Sequence, residues 1–129
     1  MRRDMELVRK ILIDTAEGVS DYNLQLGRYA NADVEDVRLD EKLIYHIKIM
    51  CQKDLLTFKT MDELEGDCKI FDVELTWEGQ DYLSAIEDDK IWNKTKGIAK
   101  EKGLEIAQIS FEVVKNLAIQ QSKKLLGIE

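Results

Sequence analysis

The stretch Phe-Asp-Val-Glu-Leu-Thr-Trp-Glu-Gly at residues 71–79 decides the fold, because it turns from a strand into a helix within a few residues. Apolar residues alternate with polar ones from Phe71 to Trp77, which predicts a strand with one buried face. A helix is predicted from about Glu78. An apolar stretch at residues 55–60 predicts the partner strand, and the polar residues between the two strands predict a hairpin tip.

Toward the N-terminus, the pattern predicts a helix over residues 40–53, a short strand over 22–26 and a helix over 4–17 with Asp4 as its cap. Toward the C-terminus, the helix that begins near Glu78 loses its apolar phase at residues 87–89. Asp88 or Asp89 is therefore predicted to cap a new helix. Gly103 interrupts the pattern again. A final helix is predicted to start at Ser110 and end at Gly127.

This order predicts an α+β fold: helix, short strand, helix and two-stranded hairpin, followed by additional C-terminal helices. A strand–helix–hairpin unit behind a leading helix is the winged-helix arrangement, here without an obvious first helix of the helix-turn-helix pair. We expect a winged-helix-like core over residues 1–87. Residues 88–129 are expected to form a helical extension that packs on this core or on a second subunit.

Composition narrows the function. The 129 residues include 26 acids and 19 bases, for a net charge of −7, which argues against nonspecific coating of nucleic acid or anionic membrane. The charge is uneven: it is −1 over residues 1–61, −10 over 62–89 and +4 over 90–129. No apolar run is long enough to span a membrane. Two cysteines and one histidine suit a reduced cytoplasmic compartment and predict no metal site, and no cofactor is expected.

Several segments together resemble an uncharacterised family of bacterial and phage proteins, labelled domain of unknown function 2513. The matching segments are spread over nearly the whole chain in order: Arg3–Leu12, Tyr45–Lys48, Leu75–Gly79, Ile91–Lys96 and Lys124–Gly127. The resemblance implies a winged-helix-like fold, a frequent prophage setting and no established activity.

The chain departs from that family at the end of the second helix. Members often have Glu-Ala-Gly-Leu-Ile there, where this chain has Gln-Lys-Asp-Leu-Leu at residues 52–56. Asp54 is therefore predicted to take the left-handed position usually given to Gly, which Asp tolerates at modest cost.

The helix at 40–53 is where a winged-helix protein would place its contacts. Lysines there could bind phosphates, and polar side chains could reach base edges. However, its acids cancel its lysines, and an exposed Tyr/Ile pair one turn apart suits a protein partner better. We therefore favour protein–protein contact, with sequence-specific DNA binding by a transcriptional regulator as the alternative. The predicted contact residues are Lys42, Tyr45, His46, Lys48, Ile49 and Gln52.

The hairpin tip argues against a DNA-binding wing. It carries Asp62, Glu63, Glu65 and Asp67, whereas a wing that binds phosphate is normally basic. Basic residues lie instead at the start of the chain and in residues 90–102, around Trp92. For Trp92 we favour packing in the core, with the lysines facing water.

The last helix is apolar on more than one side, because Ile119 and Leu126 lie off its main stripe. We therefore predict a homodimer contact at Ile119 and Leu126. Enzymatic activity is not expected: the chain lacks the common catalytic motifs, and Cys51 and His46 are five residues apart on one helix, which turns them away from each other. No small-molecule substrate and no membrane partner are evident.

Overall fold

The computed structural model describes residues 1–25, 34–62 and 67–127. Over these ranges the protein is an α+β fold of five α-helices and three strands, with one 3₁₀ turn. The elements are α1 Met5–Ala16, β1 Tyr22–Gln25, α2 Val34–Gln52, β2 Leu56–Asp62, β3 Asp67–Leu75, α3 Trp77–Ile86, α4 Asp89–Glu101, the 3₁₀ turn Ile106–Gln108 and α5 Phe111–Leu126.

The three strands form one antiparallel sheet in the order β1-β3-β2. Between the pairs Thr57↔Glu74 and Lys59↔Phe71, β3 has one residue more than β2, which makes a bulge. Asp72 lies in this bulge with φ 52°. The bulge shifts the alternation by one residue, so Cys68, Ile70 and Val73 are all buried.

Helix boundaries follow the capping residues. Asp4, Thr76, Asp88 and Ser110 each accept a backbone N–H bond at the start of their helices, which satisfies donors that the helix itself leaves unpaired. The predicted helix start at Asp88 is therefore confirmed, as is the cap at Ser110. Gly127 ends α5 with φ 72°, as predicted.

The predicted left-handed conformation of Asp54 is confirmed, with φ 59°. Asp54 N–H donates to Cys51 O at 3.0 Å, and Leu55 N–H donates to Met50 O at 3.0 Å. These two bonds form a Schellman motif, which usually has Gly at this position. The Leu55 carbonyl lies so close to Gly79 that a Cβ there would be only 1.8 Å from it, so the turn between α2 and β2 meets α3 at a position that accepts only glycine.

Two boundary predictions were wrong. Helix α2 begins at Val34, six residues before the predicted Asp40, so residues 34–39 belong to the helix although charged residues interrupt their apolar ones. Trp77 is the first residue of α3 and not the end of a strand, because Thr76 caps the helix directly. Leu26 and residues 63–66 at the hairpin tip lie outside the described residues.

One hydrophobic cluster is shared by the helices and the sheet. It includes Val8 of α1, Ile47 of α2, Ile70 of β3 and Val114 of α5. Trp92 of α4 is 2% exposed and donates its indole N–H to Glu6 Oε1 at 3.0 Å, so it packs in the core as expected. The predicted boundary between residues 87 and 88 stays a prediction. None of the helices within the described ranges is long and apolar enough to cross a membrane.

Candidate functional site

A groove of about 950 Å³ runs along the outer face of α2. Tyr45, Ile49 and Gln52 lie on this face because the spacings i, i+4 and i+7 bring them to one side of a helix. The opposite wall comes from the segment between α4 and α5. We call this site the α2 groove; it is lined by Arg2, Arg3, Tyr45, Ile49, Gln52, Lys53, Glu105, Ala107, Gln108 and Phe111.

Arg3 fixes the N-terminal segment to the opposite wall. Its Nη2 donates to the carbonyl oxygens of Ala107 at 3.4 Å and Ile109 at 3.3 Å. The guanidinium also lies over the Phe111 ring, 5.1 Å from its centroid, in a cation–π contact. The N-terminal segment and the segment before α5 are therefore held against each other at the groove.

The opposite wall itself is ordered by local hydrogen bonds. Gly103 ends α4 with φ 75°, and Leu104 N–H donates back to Ala99 O at 2.9 Å. Gln108 then closes the 3₁₀ turn in two ways: its N–H donates to Glu105 O, and its Oε1 accepts from Glu105 N–H, both at 2.9 Å. These bonds hold Glu105 and Gln108 in place beside the groove.

Phe111 forms the buried end of the groove, with 4% of its surface exposed. Tyr82 packs edge-on against its ring, with the two ring centroids 5.8 Å apart, and the Tyr82 hydroxyl donates to Phe111 O at 2.9 Å. Burial raises the pKa of Tyr82 well above its usual value, so the hydroxyl keeps the proton that it donates. Phe111 is thus fixed by an aromatic contact and by a backbone hydrogen bond.

Asp4 joins α1 to α2 and so places Arg2 and Arg3 beside the groove. Its carboxylate caps α1 by accepting from Glu6 N–H and Leu7 N–H, and it also accepts from Lys42 Nζ at 2.7 Å. Its own N–H donates to His46 Nε2 at 2.7 Å. We call Asp4, Lys42 and His46 the Asp4 cluster. The hydrogen bond from Lys42 is the largest cause that lowers the pKa of Asp4, and the Leu7 and Glu6 amides act in the same direction against the effect of burial.

His46 is a correction to the predicted contact residues. It is fully buried, so it does not face a partner or DNA. Its Nδ1 lies 2.7 Å from Lys42 O, and its Nε2 accepts from Asp4 N–H. A neutral imidazole with the proton on Nδ1 satisfies both bonds. His46 can be buried because Asp4, the cap of α1, supplies a backbone donor at that point, and the α2 sequence alone contains no sign of this donor.

The other predicted residues are divided between two surfaces. Tyr45, Ile49 and Gln52 lie together in the α2 groove. Tyr45 and Ile49 are half-buried there and not exposed as predicted, and Ile49 also packs against the hydrophobic cluster. Lys42 instead lines a second cavity of about 450 Å³ between α1 and α2 and is paired with Asp4. Lys48 is exposed and lines neither cavity. Only half of the predicted set therefore shares one site.

The predicted dimer residues also differ from each other. Ile119 is half-buried and packs against the chain's own hydrophobic cluster. Leu126 is 70% exposed near the end of α5. The structure therefore places Ile119 in an intramolecular contact and leaves Leu126 on the surface.

The charge of the α2 groove is predominantly positive. Its charged residues are Arg2, Arg3 and Lys53 against one carboxylate, Glu105. Tyr45, Ile49 and Phe111 add apolar and aromatic surface. In the described part of the chain, no three His, Cys, Asp or Glu side chains are grouped to hold a metal ion. The groove therefore suits an anionic segment that also carries an apolar side chain.

Sequence reasoning missed Glu105, Gln108 and Phe111 as site residues, and it treated Arg2 and Arg3 only as a basic start. The available signal was Asp4, since a predicted cap marks where α1 begins and so where the two arginines must lie. No signal in the sequence placed the segment at 104–110 opposite α2, because that contact depends on how α5 packs.

The family model described as "Hypothetical protein (DUF2513)" matches residues 2–105, and the chain belongs to this family. The resemblance noted from the sequence is thereby confirmed. The matched region includes every groove residue except Ala107, Gln108 and Phe111.

A protein of Haemophilus influenzae with the name "Uncharacterized protein" is 25% identical over 125 residues, which cover 94% of this chain and 98% of the relative. No solved structure matches the chain.

Proposed function

We propose that the protein is a cytoplasmic, non-catalytic binding or regulatory module of bacterial or prophage origin, which acts by protein–protein contact through the α2 groove. Its partner is a protein segment that carries carboxylates and at least one large apolar side chain. The observation that carries this proposal is the composition of the groove: three cationic side chains surround an aromatic and aliphatic surface.

A winged-helix scaffold is part of the proposal. The order α1, β1, α2, β2, β3 and the sheet order β1-β3-β2 support it, because the two-stranded hairpin follows α2 and pairs with the short first strand. In such a scaffold α2 occupies the position of the recognition helix. The proposed difference is that its outer face binds protein.

The arrangement of α2 disfavours DNA as the partner. Lys42 is paired with Asp4, and His46 is buried, so two of the predicted DNA contacts are already engaged within the chain. The apolar surface of Tyr45 and Ile49 is of little use against a phosphate backbone. The acidic residues in the hairpin would also repel a duplex.

The proposal that the module is non-catalytic is supported by His46. Both of its ring nitrogens are within hydrogen-bond distance of backbone groups of the chain itself, so its imidazole is committed to structure. A general base needs a ring nitrogen that is available to the reacting group. The same engagement disfavours a nucleophile pair with Cys51.

Peptide selection provides the test. A displayed library of random peptides is panned on the protein, and the selected peptides are measured by fluorescence anisotropy. We expect acidic peptides with an aromatic or aliphatic residue, and at least about tenfold weaker binding to the Tyr45→Ala/Ile49→Ala variant. Lys94→Ala/Lys100→Ala on α4 is the matched surface control.

A duplex titration at low and moderate salt tests the alternative. Tight duplex binding that falls steeply with salt and is lost in Lys48→Glu/Lys53→Glu would identify DNA as the partner instead. Selected peptides that bind the wild-type chain and the Tyr45→Ala/Ile49→Ala variant equally would reject the groove as the contact surface.

A further inference from the structure

Trp77 is the most exposed large apolar side chain in the described part of the protein, at 80%, whereas Trp92 is 2% exposed. It lies on a fixed turn. The Thr76 hydroxyl accepts from Gly79 N–H at 3.0 Å and donates to Asp54 O, and Gly79 packs against the Leu55 carbonyl. A rigidly presented tryptophan is the side chain most typical of interface hot spots, because little conformational entropy is lost when it is buried.

Three carboxylates lie near this tryptophan in the sequence. Glu74, Glu78 and Asp81 are exposed neighbours of Trp77 in sequence, and Asp81 follows it by one helical turn. Within the described ranges, none of the three forms an ion pair with a lysine or arginine. We call Glu74, Trp77, Glu78 and Asp81 the Trp77 knob. Its chemistry is that of the segment which the α2 groove suits: acidic, with one large apolar side chain.

The Trp77 knob and the α2 groove adjoin each other. Glu78 lines a small cavity of about 90 Å³ together with Lys53 and Phe111, and these last two residues also line the α2 groove. A basic apolar groove therefore lies beside an acidic aromatic knob on the same side of the chain. Two adjacent patches that complement each other can pair with a second copy about a twofold axis, so that each contact is made twice and the assembly closes.

We propose that two copies of this chain form a twofold dimer in which the Trp77 knob of each copy occupies the α2 groove of the other. The inference rests on the proposed function of the groove and names its occupant. Trp77 packs against Tyr45 and Ile49 of the other copy, and Lys53 faces Glu78 across the interface. The dimer weakens as salt rises, because these charges lie at an exposed rim.

Charge exchange between Lys53 and Glu78 tests this pairing. Lys53→Glu puts two acids at each contact, and Glu78→Lys puts two bases there, so each variant alone is expected to be monomeric. When the two variants are mixed, both contacts of the mixed dimer again join an acid to a base. Sedimentation velocity at high micromolar concentration should show 14.9 kDa for each variant and twice that mass for the wild-type chain and the mixture.

Further variants keep the test clear of folding effects. Trp77→Ala is expected to be monomeric at every concentration, with an unchanged circular dichroism spectrum because Trp77 is exposed. Lys94→Glu on α4 is the matched charge control and should remain dimeric. A wild-type chain that is monomeric, a Trp77→Ala variant that remains dimeric, or a mixture that remains monomeric would each overturn the proposal.

Failure of the proposed function gives a different result. The Trp77→Ala variant has an α2 groove without an occupant from a second copy, so acidic peptides selected on that variant report on the groove alone. Peptide binding that is lost in Tyr45→Ala/Ile49→Ala, together with a monomeric wild-type chain, would keep the groove and reject the second copy as its occupant. If Lys53→Glu and Glu78→Lys form a mixed dimer but no acidic peptide binds the groove, the pairing of two copies is supported and binding of other acidic protein segments is rejected.

Discussion

The two sides of α2 carry different residues and have different roles. On one side, Lys42 and His46 join Asp4 at the start of α1, where each is engaged within the chain. On the other side, Tyr45 and Ile49 face the α2 groove. His46 and Tyr45 are neighbours in sequence, and their rings pack edge-on with centroids 5.3 Å apart. His46 is nevertheless fully buried, whereas Tyr45 lines the groove.

This difference shows how a surface helix can position a binding site. The Asp4 cluster holds the start of α1 against α2, which places Arg2 and Arg3 beside Tyr45 and Ile49. Polar residues on α2 thus serve the fold on one side, and the fold in turn supplies the charge of the groove on the other side. We therefore expect substitutions in the Asp4 cluster to change stability and substitutions in the groove to change association.

The largest expected effect comes from His46→Ala. It leaves the Asp4 amide without its acceptor and creates a cavity, so we expect the free energy of unfolding to fall by about 3 kcal/mol. Urea denaturation measures this loss. Tyr45→Ala, next in sequence, should cost about 1 kcal/mol through its aromatic contact. Equal losses in the two variants would remove the distinction between the two sides of α2.

Asp4→Asn should have a smaller and pH-dependent effect. Asn still caps α1 but cannot form the ion pair with Lys42. Because both side chains of that pair are more than a third exposed, the free energy of unfolding should fall by about 1 kcal/mol or less. Because folding lowers the pKa of Asp4 below the ordinary 3.8, the carboxylate stabilises the fold above that pH. This contribution is lost as the pH falls through the lowered pKa.

Urea midpoints between pH 2 and pH 7 check this prediction. The urea midpoint of the wild-type chain should be higher than that of Asp4→Asn at neutral pH, and the two midpoints should become equal in acid. A difference that persists unchanged at the acid end would show that Asp4 acts without its charge.

Asp54→Gly should stabilise the protein slightly. The left-handed position at the end of α2 strains Asp, whereas α1 and α4 have Gly18 and Gly103 at the equivalent positions. We expect a gain of about 0.5 kcal/mol, since the relief of strain exceeds the added entropy of the unfolded chain only modestly. Thermal unfolding measures the gain. Gly103→Asp is the reverse control, and a loss of stability there with no gain in Asp54→Gly would mean that Asp54 has a compensating interaction.

The elements that follow local rules were predictable from the sequence. The caps at Asp4, Asp88 and Ser110 depend on hydrogen bonds within a few residues, so the chain itself encodes them. The left-handed Asp54 was expected from the family resemblance, because members often have Gly at that position. Helix α2 was predicted too short because Val34, Val37 and Leu39 lie among charged residues, a pattern that predicted an irregular segment.

Features that depend on distant contacts were not predictable. His46 can be buried because the Asp4 amide, just before α1, donates to it, and the α2 groove is complete because α5 brings Phe111 to its lining. The bulge at Asp72 changes which residues of β3 face the core, and the sequence pattern did not predict it. A simple alternation places Phe71 rather than Ile70 on the buried face. Three of the ten groove residues could be found from one helix, and the rest depended on tertiary packing.

The central claim is that the groove side of α2 makes contact while the other side maintains the fold. Sedimentation velocity of Ile49→Ala beside Lys48→Ala tests it most directly, because the two residues are adjacent and only Ile49 lines the groove. We predict that Ile49→Ala sediments as a folded monomer of 14.9 kDa and that Lys48→Ala keeps twice that mass. Equal masses for the two folded variants would contradict the account.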